Sequence, residues 1–272
     1  MPEYLPKAIL VAVIIVLISW FTYKGLNKDT AVFNPKTDQS AVSVAPVNFE
    51  SLKTKYLGAV KTKQGFPVTY AEITATNAST INDIPGKINA LLEKREYGYA
   101  ALLAEIQAES QLSDTVFTNT GRMFINAAAN TDNEELQLFF ARRAEANLEK
   151  AKKINPESIA PNTDLAWVYL NDAAAASNPA EAMRPIVLLL EVVKKDPDNI
   201  EANYLLAINA ERTGQNEKAI ERYKKLISLQ PQNPEYLQAI SELYKKMGKT
   251  KEADDYNKRF LEINKTKINL IK

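Results

Sequence analysis

The side chains that could do chemistry in this chain of 272 residues are carboxylates, amines, guanidinium groups and hydroxyls, because it has no histidine and no cysteine. Their absence excludes an imidazole base, a thiolate nucleophile, a Cys/His zinc site, a haem held by His or Cys and a thiolate-held iron–sulfur cluster. Disulfides are excluded as well, so the sequence permits an oxidising compartment without indicating one.

The carboxylates do not form a pattern typical of acid–base catalysis. Pairs such as Glu134-Glu135 and Asp254-Asp255 are sequence neighbours, and neighbours on a helix point about 100° apart, so they do not converge on a reacting atom. The sequence also lacks a glycine-rich phosphate loop and a nucleophile elbow. With 34 Lys and Arg against 33 Asp and Glu, the charge gives no reason to expect nucleic acid. We therefore predict a protein that is not an enzyme and has no cofactor or metal site.

The first 26 residues are predicted to be a transmembrane anchor. Residues 8–23 read AILVAVIIVLISWFTY, and no charge lies between Lys7 and Lys24. With its flanks the apolar run is about 20 residues long, enough to cross a bilayer as a helix. A cleaved signal peptide is the main alternative, but the run ends in bulky residues that do not suit a cleavage site. A buried core helix at the chain terminus is a weaker alternative.

The orientation of this anchor has two interpretations. Lys24, Lys28 and Lys36 follow the apolar run, and by the positive-inside rule they favour a cytoplasmic C-terminal domain. The very short tail before the run instead favours a signal anchor, which leaves the C-terminal domain outside. We prefer the second interpretation, and both stay open here.

Residues 27–80 are predicted to be a linker, mostly flexible. From Asn27 to about Val47 the chain is rich in polar residues, alanine and proline and has no apolar period. Leu52, Tyr56 and Leu57 would share one face if residues 49–61 formed a short helix. The pattern of residues 65–76 does not decide between strand and loop.

Helical patterns with a repeating spacing fill the rest of the chain, from Ile81 onward. Pro197 and Pro231 both follow a predicted helix and are 34 residues apart, with Pro156 a looser match. Small and aromatic residues recur between and after them: Ala207, Ala210, Gly214, Ala219, Tyr223, Gly248, Ala253 and Phe260. Such residues let antiparallel helices approach closely and fill the space toward the next pair.

This spacing resembles the tetratricopeptide repeat family. The resemblance predicts an all-α fold: the N-terminal transmembrane helix, the linker, and an α-solenoid of about four to five helical hairpins over residues 81–268. The clearest repeats are residues 200–233 and 234–267, and a non-repeat helical bundle is the alternative. In an earlier, less regular repeat, Pro185 occupies a position that usually holds a small residue, so that helix is expected to begin late or to kink there.

The resemblance also implies a binding face, because the first helix of each repeat lines the concave side of the solenoid. The predicted concave-face residues are Arg122, Asn126, Thr163, Trp167, Tyr204, Ile208, Arg212, Gln238, Glu242 and Lys245. A peptide could stack on Trp167 and Tyr204 while its acidic group meets Arg122 or Arg212. The alternative is that the aromatic residues pack between repeats and the arginines are solvated. The Lys and Asn carboxylate clamp of chaperone-binding members is not present at these positions.

Anchor, linker and repeats together resemble membrane-anchored tetratricopeptide repeat proteins of the bacterial envelope. The resemblance implies a non-catalytic scaffold that binds protein or peptide partners at the surface of the bacterial inner membrane, with its C-terminal domain in the periplasm. One alternative is a periplasmic, chaperone-like factor that holds exported or cofactor-containing client proteins. Another is an adaptor of the same fold that faces the cytoplasm.

Overall fold

The structure, a computed structural model, describes residues 49–58, 70–74, 79, 81–172 and 179–271. All of them belong to one unit of the chain, Val44–Lys272. The predicted anchor at residues 8–23 and the first part of the predicted linker lie outside the described residues. Within the described ranges, no helix combines the length and the apolar character that a membrane span requires.

Twelve α-helices are formed by the described residues, which contain no strand. In chain order they are α1 Phe49–Gly58, α2 Tyr70–Ile73, α3 Ile84–Glu93, α4 Tyr97–Gln111, α5 Asp114–Ala129, α6 Glu134–Ile154, α7 Ala160–Leu170, α8 Pro179–Lys195, α9 Ile200–Arg212, α10 Asn216–Leu229, α11 Pro234–Lys246 and α12 Thr250–Ile271.

The starts and turns of the last four helices follow the 34-residue period. The side chain of Asn199 caps α9 by accepting a hydrogen bond from the Ala202 N–H, and Asn233 caps α11 through the Glu235 N–H. The turns after these helices each contain a glycine with positive φ, Gly214 at 74° and Gly248 at 72°, a conformation that favours glycine. The same spacing therefore fixes where each helix begins and where its hairpin turns.

Consecutive helices pack as hairpins, α5 with α6, α7 with α8, α9 with α10 and α11 with α12, and α3 packs on α4. The first helices of neighbouring hairpins also contact each other, α5 with α7 and α7 with α9. Close contact between first helices places them on the inner side of the stack. The predicted all-α fold with a solenoid of tetratricopeptide type is confirmed for the described residues.

The buried apolar residues form two main clusters that meet in α9. The first extends from Leu57 to Leu206, and the second begins at Ala207 and includes Tyr223 and Ile240. Leu206 and Ala207 are consecutive and point about 100° apart, so different sides of one helix serve two cores. The stack is therefore continuous although its interior is divided.

Part of the predicted linker packs as part of this unit. Leu57 and Ile73 are buried in the first cluster. The ring of Tyr56 stacks on Tyr99 with 4.3 Å between ring centroids, and the Tyr99 hydroxyl donates to the Tyr56 carbonyl at 2.8 Å. Helix α1 lies where the short helix over residues 49–61 was predicted, and the apolar side chains of this part cover α4 and α6, which the sequence did not predict.

Helix α8 begins at Pro179 and continues through Pro185, so the expectation that it begins late is wrong. Pro185 is the seventh residue of α8, inside the helix, where it lacks the N–H that would bond to the Glu181 carbonyl. Pro185 itself is buried, in the position where the repeat usually places a small residue.

Candidate partner-binding face

The predicted binding residues lie on α5, α7, α9 and α11, the first helices of the four hairpins. They divide by exposure into three groups. Asn126, Arg212, Gln238, Glu242 and Lys245 are exposed, Arg122, Trp167, Tyr204 and Ile208 are half-buried, and Thr163 is buried. We call the surface formed by the nine accessible residues the first-helix face.

Thr163 does not belong to this face, because its side chain is only 5% exposed. Its neighbours Asn162 and Asp164 are buried as well, at 2% and 5%. Helix α7 contacts α5, α6, α8 and α9, so its first turns are covered from several directions. The prediction that Thr163 is exposed is wrong for this reason.

The two predicted arginines connect neighbouring first helices. The Nε atom of Arg122 on α5 donates to Oδ2 of Asp164 on α7 at 2.8 Å. The Nη1 atom of Arg212 on α9 donates at 2.8 Å to the carbonyl of Leu170, the last residue of α7. A helix leaves its last carbonyls without partners, so Arg212 satisfies one of them. Both guanidinium groups therefore stabilise the stack, which the sequence analysis did not predict.

Asp164, which is buried beneath this face, is an unusual ionisable group. Burial raises its pKa to about 7, the Arg122 guanidinium opposes the shift, and the Glu201 carboxylate adds to it. Burial and Glu201 therefore outweigh the ion pair with Arg122. The protonation of this carboxyl changes in the neutral range, next to residues that were predicted to bind a partner.

The two aromatic residues are each half-buried and half-accessible. Trp167 packs against the first core cluster, and Tyr204 packs against the second, with 6.1 Å between its ring centroid and that of Tyr236. Burial, followed by Glu235 and Glu211, raises the pKa of Tyr204. Packing between repeats and contact with a partner are compatible for both rings, because each keeps part of its surface open.

The part of the face on α11 is polar and exposed. The Gln238 amide donates to Glu242 at 3.0 Å, one turn along the same helix. Lys245 is exposed and forms no ion pair with any residue of the described ranges. Beside it, Lys246 forms an ion pair at 3.0 Å with Glu211 of α9.

Sequence reasoning missed two carboxylates of this face, Glu201 and Glu235. They are 34 residues apart, in the first turns of α9 and α11, and both are exposed. Their spacing is the signal that could have found them, since residues one repeat apart occupy equivalent positions. They make the accessible surface acidic near the starts of α9 and α11, while Arg212 and Lys245 are basic groups near the ends of these helices.

In the part of the chain that the structure describes, no group of three or more Asp, Glu, His or Cys side chains is arranged to hold a metal ion. The arrangement instead provides half-exposed rings and separated charges of both signs along several parallel helices. Such a surface can recognise a polypeptide through stacking and charge pairing.

Comparison with known proteins agrees with this architecture. The solved structures similar to this chain include a crystal structure of MamA, with 19% identity over 67% of this chain and 96% of that one and a TM-score of 0.53. They also include MamA from residue 41 to its end from Desulfovibrio magneticus RS-1, with 18% identity, 71% and 98% coverage and a TM-score of 0.54. At this identity the likeness shows a shared fold.

The search of curated proteins gives no match. Two family models, both described as tetratricopeptide repeat, match the chain over residues 173–243 and residues 234–267. Helices α8 to α12, which form the most regular hairpins of the stack, lie mostly within these two ranges. Residues 173–267 of this chain are therefore tetratricopeptide repeats.

Proposed function

We propose that this protein is a non-catalytic scaffold, tethered to a membrane, that binds a protein or peptide partner on its first-helix face. The observation that carries the proposal is the half-exposure of Trp167, Tyr204 and Ile208 on adjacent first helices. Aromatic side chains on an accessible, preformed surface contribute strongly to protein–protein binding. The fold supplies the rigid platform that holds them.

The membrane tether is part of the same proposal and is supported by the sequence. The apolar run at residues 8–23 would cross the bilayer, and the tether that follows has a typical reach of about 25 Å. A tethered platform raises the effective concentration of partners in the same membrane. We propose the bacterial inner membrane, with the repeats in the periplasm.

The binding face is tested with the double variant Trp167→Ala/Lys245→Glu. One residue is an accessible ring and the other an exposed amine without an ion pair in the described ranges, so neither change removes a described hydrogen bond. We expect capture of crosslinked neighbours from native membranes to fall at least tenfold at a temperature where circular dichroism shows the variant to be folded, and the melting temperature to fall because the Trp167 ring also packs on the first core cluster.

The matched control is Leu261→Ala/Lys224→Glu, which makes the same types of change at exposed residues of the second helices α12 and α10. Capture by the control should equal that of the wild type. Equal loss in both variants, or none in either, would show that the first-helix face is not the binding surface. One stoichiometric partner supports the scaffold, whereas many substoichiometric clients would support the client-holding alternative.

The orientation is tested with reporter fusions at the C-terminus, one active only in the periplasm and one only in the cytoplasm. We expect activity from the periplasmic reporter alone. Activity of the cytoplasmic reporter alone would replace the periplasmic assignment with the cytoplasm-facing adaptor.

A further inference from the structure

An apolar stripe lies on the outer side of α8, away from the first-helix face. Met183, Val187 and Leu190 are 56%, 51% and 46% exposed. Their spacing of four and three residues places them on one side of the helix. The opposite side carries Leu188, Leu189 and Val192, which are buried in the first core cluster. The helix is thus apolar on both sides, although only one side packs against the protein.

The repeat architecture does not require this stripe. Adding one period of 34 residues to the three stripe positions gives Glu217, Glu221 and Lys224 on α10, which are all exposed. Adding a second period gives Lys251, Asp255 and Lys258 on α12, which are again exposed and charged at all three positions. Equivalent outer positions of the neighbouring second helices are therefore charged, and α8 alone among these three helices replaces them with large apolar residues.

The shape of the surface favours a flat occupant over a peptide. The stripe is on a second helix, hence on the outer, convex side of the stack, where no neighbouring first helix forms a wall of a groove. A single ridge of side chains can enter the interfacial region of a bilayer without shape complementarity. At the C-terminal end of the stripe, Lys194 is exposed and forms no ion pair in the described ranges, as suits a position beside anionic headgroups.

The path of the chain points to the same side. Helix α1, the first described helix after the predicted tether, packs on α6 and, through the ring of Tyr56, on Tyr99 of α4. Both α4 and α6 are second helices of their hairpins. The segment that leads to the predicted anchor therefore joins the repeats on the side of the second helices, which is also the side of the stripe.

We infer that Met183, Val187 and Leu190 insert into the interfacial region of the membrane that holds the anchor, so that the first-helix face points away from the lipid. This inference rests on the proposed membrane tether and adds an orientation to it. Lipid contact would explain why large apolar side chains stay exposed on this helix, where the equivalent residues of its neighbours are charged.

The test uses the full chain, which has no native cysteine and so needs no background substitution. Single variants Val187→Cys, Leu190→Cys and Gln238→Cys are spin-labelled and reconstituted in vesicles of phosphatidylethanolamine and phosphatidylglycerol. The relaxation rate of each spin label is then measured with oxygen, which concentrates in lipid, and with a nickel chelate, which stays in water. The ratio of the two effects reports whether the label lies in lipid or in water. We expect a several-fold higher ratio of oxygen to nickel accessibility at residues 187 and 190 than at the control residue 238 on α11.

A second variant removes the stripe without touching the core. Met183→Glu, Val187→Glu and Leu190→Lys are combined, giving the residues found one repeat later on α10, and the label is placed at position 194. We expect the accessibility ratio at this label to fall to the value of residue 238, while the chain still floats with the vesicles through its anchor.

The outcomes separate the inference from the tether. If the chain floats but the labels at residues 187 and 190 are as open to nickel as the label at 238, the lipid contact is refuted and the tether stands. If those labels are shielded from both reagents, a protein covers the stripe and the inference is likewise refuted. If the chain does not float, the tether is absent and the inference fails with it.

Discussion

The hairpins α5–α8 and α9–α12 have the same architecture but different interiors. In α5–α8, which we call the early hairpins, six polar side chains are buried: Thr118, Thr120, Asn147, Asn162, Thr163 and Asp164. In α9–α12, the late hairpins, the described side chains that are polar and buried are Asn203 and Ser241. The late hairpins are held mainly by apolar packing, and the early hairpins add a network of polar contacts.

The difference shows that either polar or small apolar side chains can join equivalent helices of this fold. In the late hairpins small residues such as Ala207, Ala219 and Ala253 are fully buried at the seams. In the early hairpins Asn147 donates to Glu105 at 2.7 Å, and Asn162 donates to Glu191 at 3.1 Å. Apolar seams depend on size and spacing, whereas polar contacts depend also on the ionisation and geometry of each partner.

The largest expected effect comes from truncating one fully buried leucine of a second helix in each region, with Leu148→Ala on α6 in the early hairpins and Leu226→Ala on α10 in the late ones. Both side chains are fully buried. Each change should lower the free energy of unfolding by about 2–5 kcal/mol, through lost burial and the cavity that remains. Chemical denaturation measures the loss.

Hydrogen exchange then tests whether the two interiors are separate. Leu148 belongs to the first core cluster and Leu226 to the second. We expect faster amide exchange mainly in α5–α8 for the first variant and mainly in α9–α12 for the second. Equal acceleration in both regions would show one cooperative core and would remove the distinction.

Between pH 4 and pH 8 a pH-dependent effect is expected in the early hairpins, through Asp164. An unfolded aspartate titrates near pH 3.8, whereas burial raises the pKa of Asp164 to about 7, so the folded chain retains its proton between these values. The free energy of unfolding must then decrease as the pH rises through this interval, because the folded state loses a proton that the unfolded state has already lost. Asp164→Asn does not titrate and lacks this slope.

The wild-type minus variant difference in unfolding free energy should fall between pH 4 and pH 8, by at most about 4 kcal/mol. A difference that instead grew with pH would show that the ion pair with Arg122 dominates over burial. Glu201→Gln is the companion variant, because the Glu201 carboxylate contributes to the raised pKa of Asp164. It should move the midpoint of the pH dependence to lower pH.

Glycine serves a different purpose in each region, and alanine substitutions distinguish the two. A Cβ on Gly121 would lie 2.6 Å from Cγ of Leu148, so Gly121→Ala should cost about 1–3 kcal/mol through overpacking. Gly214 has open space around it but a φ of 74°, so Gly214→Ala should cost about 1 kcal/mol through backbone strain alone. Thermal unfolding measures both.

A second substitution separates the two causes. Adding Leu148→Ala to Gly121→Ala makes room for the new methyl group, so the two changes should cost less together than the sum of their separate effects. The same Leu148→Ala should add fully to Gly214→Ala, because the two sites share no contact. Strict additivity at Gly121 would contradict the close approach to Leu148.

The sequence predicted the late hairpins better than the early ones, and the reason is physical. Helices α9 and α11 begin at residues 200 and 234, where the predicted repeats begin, because Asn caps and turn glycines recur with the period of the small residues. The pairing of Arg122 with Asp164 has no such signal. It joins residues 42 positions apart, across an early repeat whose length departs from the period.

The packing of Leu57 and Ile73 could not be predicted from the sequence either. Neither belongs to a repeat, so no recurring pattern indicates that it packs in the first core cluster.

The binding face was predicted less well than the late hairpins but better than the packing of Leu57 and Ile73. Its helical positions followed from the repeats, but the burial of Thr163 and the internal partners of both arginines depend on how closely α5, α7 and α9 approach one another.

The smallest expected effect concerns Arg212, which connects the two regions. Its guanidinium, on α9, donates to the carbonyl of Leu170 at the end of α7. One repeat later, Lys246 on α11 occupies the equivalent position and pairs with the Glu211 carboxylate at 3.0 Å. The two side chains are both exposed, but one satisfies a backbone group of the early hairpins and the other forms a surface ion pair within the late hairpins.

Arg212→Ala should therefore cost about 1 kcal/mol, the net value of a hydrogen bond, whereas Lys246→Ala should cost at most about 1 kcal/mol and lose most of its effect at high salt. Amide exchange at the end of α7 should rise in the Arg212 variant and stay unchanged in the Lys246 variant. If Lys246→Ala also accelerated exchange in α7, the coupling would run through the whole first-helix face. The two regions would then behave as one element despite their different interiors.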